Sequence, residues 1–516
     1  MWHKIKTIIR FFYHRVVLIS ISIAIVIQLA VLIAVILRFN NYFVLFYWGS
    51  IFISIFTVFW ILNDKINPSY KIAWIIPILL FPIFGGLFYI FFGGNKMSKR
   101  EKKKLKAIGL KIQNALAPQP LILEDMMLHD KGAVAQSRYI QNIAFFPPHK
   151  NTTGEYLPIG EIKFERLKEE LKKAEHFIFL EYFIIQEGVM WNSILDILVE
   201  KAKKGVDVRI IYDDLGCLLL LPRNYCQKLN QLGIKCCVFN PVRPVLSAKI
   251  NNRDHRKIAI IDGHTGFAGG INLADEYINE IEKHGYWKDN AIMIKGDAVW
   301  NMTVMFLSMW DYLKGVDEDF SEFRKNNLFK MESSEGYFQP FADSPFDDET
   351  VGEIVYLNLL NKSNKYVYIT TPYLIIDYGM TKALTSAAKS GVDVRIITPH
   401  LADKWYVHAV TRSNYRMLVE NGVRIYEYTP GFIHSKTLVS DDEYAVVGSI
   451  NMDYRSFYLH FECGVWMYKS SSVLAVKEDF LSTLKVCKEI TMKDIKNVKW
   501  YRRLIGTILR VFAPLM

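Results

Sequence analysis

Cysteine is scarce in this chain, and where it occurs it is badly spaced for chemistry. Six cysteines in 516 residues, at Cys217, Cys226, Cys236, Cys237, Cys463 and Cys487, make no C-x-x-C pair and no Cys/His arrangement suited to zinc, so the thiols are expected to be reduced and buried. No convincing cluster of carboxylates or histidine ligands surrounds the motifs described below, so neither metal nor cofactor is expected. Negative charge is in short supply: 52 Asp and Glu face 63 Lys and Arg, a formal net charge of +11 that implies an acidic partner, nucleic acid or an anionic membrane surface. Charge of either sign is missing altogether from Val16 to Leu37, and no small-residue cleavage site follows, which argues against a signal peptide.

Long apolar runs stand in the place of that charge. Val16 to Leu37 has membrane-spanning length, and Phe43 to Leu62 follows after the link Arg38-Phe39-Asn40-Asn41-Tyr42, so two antiparallel membrane helices are expected. A third run, Ala73 to Phe92, is interrupted by Pro77, Pro82, Gly85 and Gly86, and leads to Lys96, Lys99, Arg100, Lys102, Lys103, Lys104 and Lys106. Three full crossings would put that basic stretch and the basic N-terminus (Lys4, Lys6, Arg10, Arg15) on opposite sides, against the tendency of Lys and Arg to stay cytoplasmic. A broken third segment that returns to the cytoplasmic face removes the conflict; three crossings are the alternative. These segments favour a membrane over nucleic acid as the partner.

The rest of the chain says everything twice. His255-Arg256-Lys257-Ile258-Ala259-Ile260-Ile261-Asp262 and His434-Ser435-Lys436-Thr437-Leu438-Val439-Ser440-Asp441 both read His-x-Lys, four residues, then Asp. In each, the apolar run after the Lys predicts a buried strand, with His and Lys on one face. A small-residue turn and an Asn follow: Gly269-Gly270-Ile271-Asn272 and Gly448-Ser449-Ile450-Asn451. The heptapeptide from Gly205 to Ile211 recurs unchanged from Gly391 to Ile397, and a strand from Phe177 to Phe183 has its counterpart from Val367 to Tyr373. The halves differ between Pro241 and His255, where extra residues including Arg243, Lys249 and Arg253 form either a substrate-contacting loop or a surface insertion.

This repeated alternation of strands and helices defines an α/β fold: two tandem domains related by a pseudo-twofold duplication, with mixed sheets flanked by helices, after an N-terminal transmembrane helical region. The expected boundaries are 1–95 for the membrane anchor, 96–150 for a basic linker, 151–330 and 331–497 for the two domains, and 498–516 for a C-terminal amphipathic segment with Arg502, Arg503 and Arg510 along a basic edge.

Two imidazoles and two ammonium groups suit phosphodiester chemistry. Charge grows on the non-bridging oxygens as phosphorus is attacked; Lys257 and Lys436, with the amides of Asn272 and Asn451 and the turn residues Gly270 and Ser449, can clamp it without a metal. A histidine near its ordinary pKa can attack phosphorus when neutral and protonate a leaving alkoxide when charged. Weaker candidates are Tyr182 and Tyr373 at matching strand ends and the turn Asp213-Asp214-Leu215-Gly216.

The doubled His-x-Lys motif with its Gly/Ser-Asn turns resembles the phospholipase D superfamily. The segments Asn67 to Trp74, Pro82 to Tyr89, Asn451 to Phe457 and Ala513-Pro514-Leu515 are similar to bacterial cardiolipin synthases within it. The resemblance implies two phospholipase D-like domains whose motifs meet at one site, His255 as nucleophile, His434 as acid and base, and Asp289 and Glu462 as carboxylates that orient the imidazoles. It counts Asp262 and Asp441 with the catalytic motif, although their place at strand ends reads as loop bracing. It further implies transfer of a phosphatidyl group between two phosphatidylglycerol molecules, giving cardiolipin and glycerol in a cell membrane; phospholipase D hydrolysis and phosphatidylserine synthesis use the same motif and are the alternatives. Oligomeric state is left open.

Overall fold

The computed structural model describes residue 33 and residues 43–81, 85–86, 89–90, 93, 99–242, 251–324, 336–346 and 349–515. Two compact units result, Met1–Gly94 and Asn95–Met516.

In the first unit, α1 (Phe43–Asn63) and α2 (Pro68–Leu80) are adjacent in sequence. Pro68 opens α2, where a missing N–H is harmless, and the Asn67 side chain accepts from the Ser69 N–H at 2.9 Å. Ile61 packs with Ile78 and Tyr89, while Trp48, Phe52, Phe56 and Phe59 of α1 are exposed. Among the described residues no helix is long and apolar enough to cross a membrane. The expected first crossing, Val16 to Leu37, lies outside the described residues except for Ile33. Within the third apolar run, α2 continues through Pro77 and ends at Leu80, ahead of Pro82.

The second unit carries two sheets of the same design. The first comprises β1 (Thr152–Leu157), β2 (Phe177–Tyr182), β3 (Asp207–Asp213), β4 (Lys235–Phe239), β6 (Lys257–Ile261), β7 (Thr265–Gly269) and β9 (Ala291–Gly296), in the order β1-β9-β7-β6-β2-β3-β4. Between them in sequence lie two short strands outside this sheet, β5 (Arg253–Asp254) and β8 (Tyr286–Lys288). The second sheet comprises β10 (Tyr337–Asp343), β11 (Tyr366–Thr370), β13 (Asp393–Pro399), β14 (Arg424–Tyr428), β16 (Thr437–Ser440), β17 (Tyr444–Gly448), β19 (His460–Tyr468) and β20 (Cys487–Ile490), in the order β10-β19-β17-β16-β11-β13-β14-β20. Strand for strand the orders coincide, with β20 added at one edge. β2-β3-β4 and β11-β13-β14 run parallel and the other neighbours antiparallel, so the sheets are mixed, as the duplication predicts.

Strand β2 is buried on both faces, so its residues divide by parity between two cores. Ile178 and Leu180 pack in the cluster that includes Leu167 and Leu171 of the helix Gly160–Lys173 and Ile194 and Leu198 of the helix Val189–Lys203. Phe177 and Phe179 face the other way, where Phe179 stacks on Phe306 at 4.6 Å. Phe306 belongs to the helix Val299–Lys314, which is buried from Val299 to Asp311 and lies in one cluster with residues of both sheets, Ile258 and Ile294 of the first, Val446 and Trp466 of the second. A shared core of this kind fixes the halves against each other.

Residues 96–150 depart from the linker expected of them. Helices Lys99–Ala115, Pro120–Met127 and Lys131–Tyr139 occupy most of the segment, and Leu116, Leu123, Met126 and Val134 join the shared core. Lys102, Lys103 and Lys106 occupy the solvent side of Lys99–Ala115, while Lys104 donates to the Tyr312 carbonyl and Lys111 pairs with Asp311 at 2.5 Å, so the composition reflects an amphipathic helix rather than a flexible tether.

Candidate functional site

Two minimal strand pairs cross between the halves and build the site. β15 (Gly431–Ile433) runs parallel to β8, with Ile433 opposite Lys288. The residues that follow each strand are therefore neighbours: the His434 N–H donates to the Lys288 carbonyl at 2.7 Å, and His434 Nδ1 lies 2.6 Å from Asp289 Oδ2. The second pair repeats the device. β5 runs parallel to the start of β19, with Asp254 opposite Phe461; the His255 N–H donates to the Phe461 carbonyl at 2.9 Å, and His255 Nδ1 lies 2.9 Å from Glu462 Oε1. Each motif histidine is thus held by a carboxylate of the opposite half.

The carboxylates are themselves held. Glu462 is fully buried; it accepts from Ser456 Oγ at 2.6 Å on Oε1 and from Ser449 Oγ on Oε2. The Cys463 N–H donates to Ser449 Oγ at 3.1 Å. Gly270 makes the room for Asp289: a Cβ built on it would meet Asp289 Oδ1 at 2.1 Å. The backbone N–H groups of Gly270 and Ser449 are paired with the carbonyls of Asn290 and Cys463 at 2.9 Å each. Both turn residues, expected at the phosphate, thus also contact the carboxylates, Gly270 by close approach to Asp289 and Ser449 by its hydrogen bond to Glu462. Asn272 is similarly occupied: Oδ1 accepts from the Ile184 N–H at 3.0 Å and Nδ2 donates to Tyr277 at 2.7 Å. Asn451 keeps a buried Oδ1 without a hydrogen-bond partner.

Lys257 and Lys436 are buried, and each Nζ donates to the carbonyl of its own motif histidine. Burial lowers the Lys257 ammonium to about 8 and the Lys436 ammonium to about 7; the carboxylates Glu462 and Asp289 oppose the shift in both. Burial also pushes His255 well below its ordinary 6.5, reinforced by Lys257, His460, Lys436 and His434. His434 falls to about 4, through burial and then Lys436, against the pull of Asp289. Glu462 is pushed well up by burial, with Lys257 and the two serines opposing. That the two lysines and histidines from both halves act on His255 places the two motifs at one site.

Asp262 and Asp441 stand away from this centre. The Asp262 carboxylate accepts the backbone N–H groups of Glu175, His176 and Phe177 at 2.7 Å each. Asp441 accepts those of Asn364, Lys365 and Tyr366 at 2.7, 3.0 and 2.9 Å. Both brace the entry to the strand beside the motif, which is the loop-bracing reading. The remaining candidates have partners within the fold: Tyr182 accepts from the buried Lys163 at 3.0 Å, Tyr373 donates to Asp403 at 2.5 Å, and Asp213 accepts from the N–H groups of Gly216 and Asp254 at 3.0 and 3.1 Å. In the extra loop Arg253 turns inward, donating to the Asn240 carbonyl at 3.0 Å; Arg243 and Lys249 lie outside the described residues.

Sequence reasoning missed two residues at the centre, Ser456 and His460. Ser456 joins the expected Ser449 in holding Glu462, and nothing in its spacing marks it. His460 is two residues before Glu462 on the same strand, hence on the same face, and its alternation with the carboxylate was the available signal. His255, His460 and Glu462 are the one group among the described residues with ligand atoms near enough for a metal ion, all within 4.8 Å. Lys257, Lys436, Arg253 and Arg455 act on these histidines; such a setting disfavours a second cation.

Two α/β lobes that share one buried centre, each supplying a His-x-Lys motif, define an enzyme of the duplicated phosphodiester-transferring kind. The chain belongs to the cardiolipin synthase, phospholipase D-like family: the family model "Cardiolipin synthase, PLD-like domain" matches residues 167–310 and 356–484, and a "Phospholipase_D-nuclease N-terminal" model matches residues 52–94. Among curated relatives, a cardiolipin synthase of Alkalihalophilus pseudofirmus is 34% identical over 92% of this chain and 93% of its own, and one of Halalkalibacterium halodurans is 33% identical over 90% and 93%. An uncharacterized protein of Streptococcus mutans is 43% identical over 89% of this chain and 99% of its own. In fold the chain is similar to a phosphatidylserine synthase of Haemophilus influenzae, with a TM-score of 0.56 at 17% identity over 75% of this chain and 98% of that one.

Proposed function

We propose that this chain is a cardiolipin synthase that transfers a phosphatidyl group from one phosphatidylglycerol to the headgroup hydroxyl of another. The observation that carries the reading is the crossed bonding of His255 to Glu462 and of His434 to Asp289, which leaves Nε2 of each imidazole for the reaction. His255 Nε2 attacks phosphorus; the bond from phosphorus to the headgroup oxygen breaks, and His434 gives its proton to the departing oxygen, releasing glycerol. The headgroup hydroxyl of the second lipid then attacks the phosphohistidine, His434 takes the proton of that hydroxyl, and the phosphorus–nitrogen bond breaks to leave cardiolipin and free His255. Ester is exchanged for ester, so no cofactor or nucleotide is needed.

The environment fits these roles. His255 is held neutral, as a nucleophile must be. His434 must be protonated, and a phosphodiester anion bound beside it raises its pKa, with Asp289 already in place to stabilise the imidazolium. Lys257 and Lys436 meet the charge that develops on the phosphoryl oxygens.

The membrane reading rests on several supports. The charge-free runs from Val16 to Leu37 and from Phe43 to Leu62 suit a multi-pass anchor, and the basic stretch from Lys96 suits a cytoplasmic catalytic unit. At the other end of the chain, the helix Trp500–Val511 exposes Trp500, Tyr501, Leu504, Ile505 and Ile508, which at 100° per residue fall within an arc of about 140°. Its opposite side packs through Gly506 against Ala409 and Ser413, 3.4 Å from a Cβ built there. An exposed apolar face with Arg502, Arg503 and Arg510 beside it is the composition of a helix that lies on an anionic bilayer.

The test is to incubate the detergent-solubilised full chain with phosphatidylglycerol under excess EDTA and identify products by mass, beside His255→Ala and His434→Ala. Cardiolipin with equimolar glycerol, lost in both variants, is the expected result. Phosphatidic acid alone would assign water as the acceptor and a hydrolase in place of the synthase.

A further inference from the structure

His460 is the one histidine at the centre that the mechanism above leaves without a task. Its side chain is 10% exposed, and neither ring nitrogen has a hydrogen-bond partner. The nearest acceptor is Glu462 Oε1, 3.9 Å from Nδ1; that is too long for a hydrogen bond, and the oxygen is already taken by His255 and Ser456. A buried polar group left unpaired is destabilising, so an imidazole kept in this state points to a partner that arrives with the substrate. The ring centroids of His460 and His255 are 5.5 Å apart, tilted by 40°.

The other half shows that this position belongs to the site. Trp287 stands two residues before Asp289 as His460 stands two before Glu462. Its ring lies 5.4 Å from that of His434 at a tilt of 49°, and the indole Nε1 is likewise buried without a partner. One ring with an unpaired N–H thus flanks each motif histidine, a relationship the duplication imposes.

Charge decides what kind of ligand the imidazole meets. Besides burial, Arg455, Lys257, Arg253 and Lys404 all oppose protonation of His460, so the ring is neutral, a donor on one nitrogen and an acceptor on the other. Glu462 is the carboxylate beside it, and buried Asp453 lies close to Arg455 and Lys404. A divalent cation bound by His255, His460 and Glu462 would have to displace the bond between His255 and Glu462 amid these positive groups. An anionic oxygen meets no such obstacle.

Resting on the phosphatidyl-transfer reading, we propose that His460 is a further catalytic residue, whose ring N–H donates to a non-bridging oxygen of the phosphoryl group attacked by His255. It adds a neutral donor to the charged clamp of Lys257 and Lys436. The benefit is greatest as charge accumulates on that oxygen, so the residue acts on kcat more than on KM.

The experiment compares His460→Asn, which keeps an N–H donor, with His460→Phe, which keeps a ring and loses it. In the full-length solubilised chain, His460→Phe is expected to lower kcat by about 10- to 100-fold with KM within about threefold, while His460→Asn recovers most of the rate. Orthovanadate, which mimics the five-coordinate phosphoryl, should lose affinity for His460→Phe in parallel with kcat. The thermal midpoint of His460→Phe should be unchanged or higher, because an unpaired polar group has been removed. Equal rates in Phe and wild type, or a loss that follows a fall in thermal midpoint and is not recovered by Asn, would overturn the assignment; so would tight zinc binding by the wild type that both variants abolish. If the wild type yields only phosphatidic acid, the synthase reading fails while the donor role is still judged, on the rate of hydrolysis.

Discussion

His434 Nδ1 and Asp289 Oδ2 are 2.6 Å apart although they belong to different halves of the duplication, and the mirror pair, His255 with Glu462, makes the same crossing at 2.9 Å. Neither half contains a complete histidine and its orienting carboxylate. The active centre exists only when both lobes are folded against each other, and the shared core around the helix Val299–Lys314 holds them there.

Crossed pairs give paired losses. Asp289→Asn should disable His434, and Glu462→Gln should disable His255, each by roughly 10³- to 10⁴-fold in kcat, the scale seen when an orienting carboxylate is made neutral. The two are separable by trapping the intermediate: reactions with labelled lipid quenched in denaturing detergent at mildly alkaline pH, where a phosphorus–nitrogen bond survives, should show covalent phosphatidyl-enzyme in Asp289→Asn at slow accumulation, and almost none in Glu462→Gln. The opposite distribution would exchange the roles of the two histidines.

Buried lysines set the alkaline limb of activity. Lys436 at about 7 and Lys257 at about 8 lose their charge as pH rises through those values, and with it the clamp for phosphoryl oxygens. kcat/KM, already declining above about pH 4 as free His434 loses the proton it must donate, should therefore fall more steeply above pH 7–8, whereas the limbs in kcat should lie higher, since bound phosphodiester stabilises the imidazolium and both ammonium groups. On the acid side His255, pushed well below 6.5, keeps its nucleophilic form. A kcat/KM that climbs steadily through pH 9 would contradict this account.

The sequence was legible where the signal is local. Repeated motifs, the recurring Gly-Val-Asp-Val-Arg-Ile-Ile heptapeptide and the strand patterns placed His255, Lys257, His434 and Lys436 in equivalent positions of two α/β lobes, and the family resemblance pointed to Asp289 and Glu462. Which carboxylate serves which histidine was hidden, because β5, β8 and β15 are only two or three residues long and pair with partners far away in the chain. Such strands carry no periodicity to read. Gly270 and Ser449 were expected at the phosphate; their contacts with the carboxylates could not be read from the turns, because they depend on close packing: one clears space for Asp289 and the other grips Glu462. The helices within 96 to 150 were not read because solvent-facing Lys102, Lys103 and Lys106 dominate the composition of Lys99–Ala115 and hide the apolar residues, such as Ile112, that pack on the core.

The motif aspartates should answer to stability. Asp262→Ala strands three buried or half-buried backbone donors and leaves alanine at a φ of +50°, with an expected cost of about 2–4 kcal/mol. Asp441→Ala should cost about half as much, roughly 1–2 kcal/mol, because the Asn364 and Lys365 donors reach water. Denaturant titration of the two variants checks the ranking; equal losses, or none, would return these residues to the chemistry.

Lys436 offers the sharpest separation of function from stability. It is fully buried, and its folded pKa of about 7 lies far below the 10.5 of a free lysine. A lowered lysine pKa means that the folded state disfavours the charged form, so below pH 7 the whole penalty is present, and it fades as pH rises from 7 toward 10.5. Lys436→Met keeps the length and apolar stem of the side chain and removes the charge; the His434 carbonyl loses its lysine donor, which offsets part of the gain. The variant should be more stable than wild type by about 1–2 kcal/mol at pH 6, with the advantage shrinking by pH 9, and its phosphatidyl transfer should fall by roughly 10²- to 10³-fold. Thermal midpoints of the solubilised protein at the two pH values, beside turnover, test both halves of the statement. A lower midpoint at pH 6 would mean that the ammonium is stabilised in the folded site by Asp289 and Glu462 more than burial disfavours it, and the alkaline limb predicted for kcat/KM would then have to move upward with it.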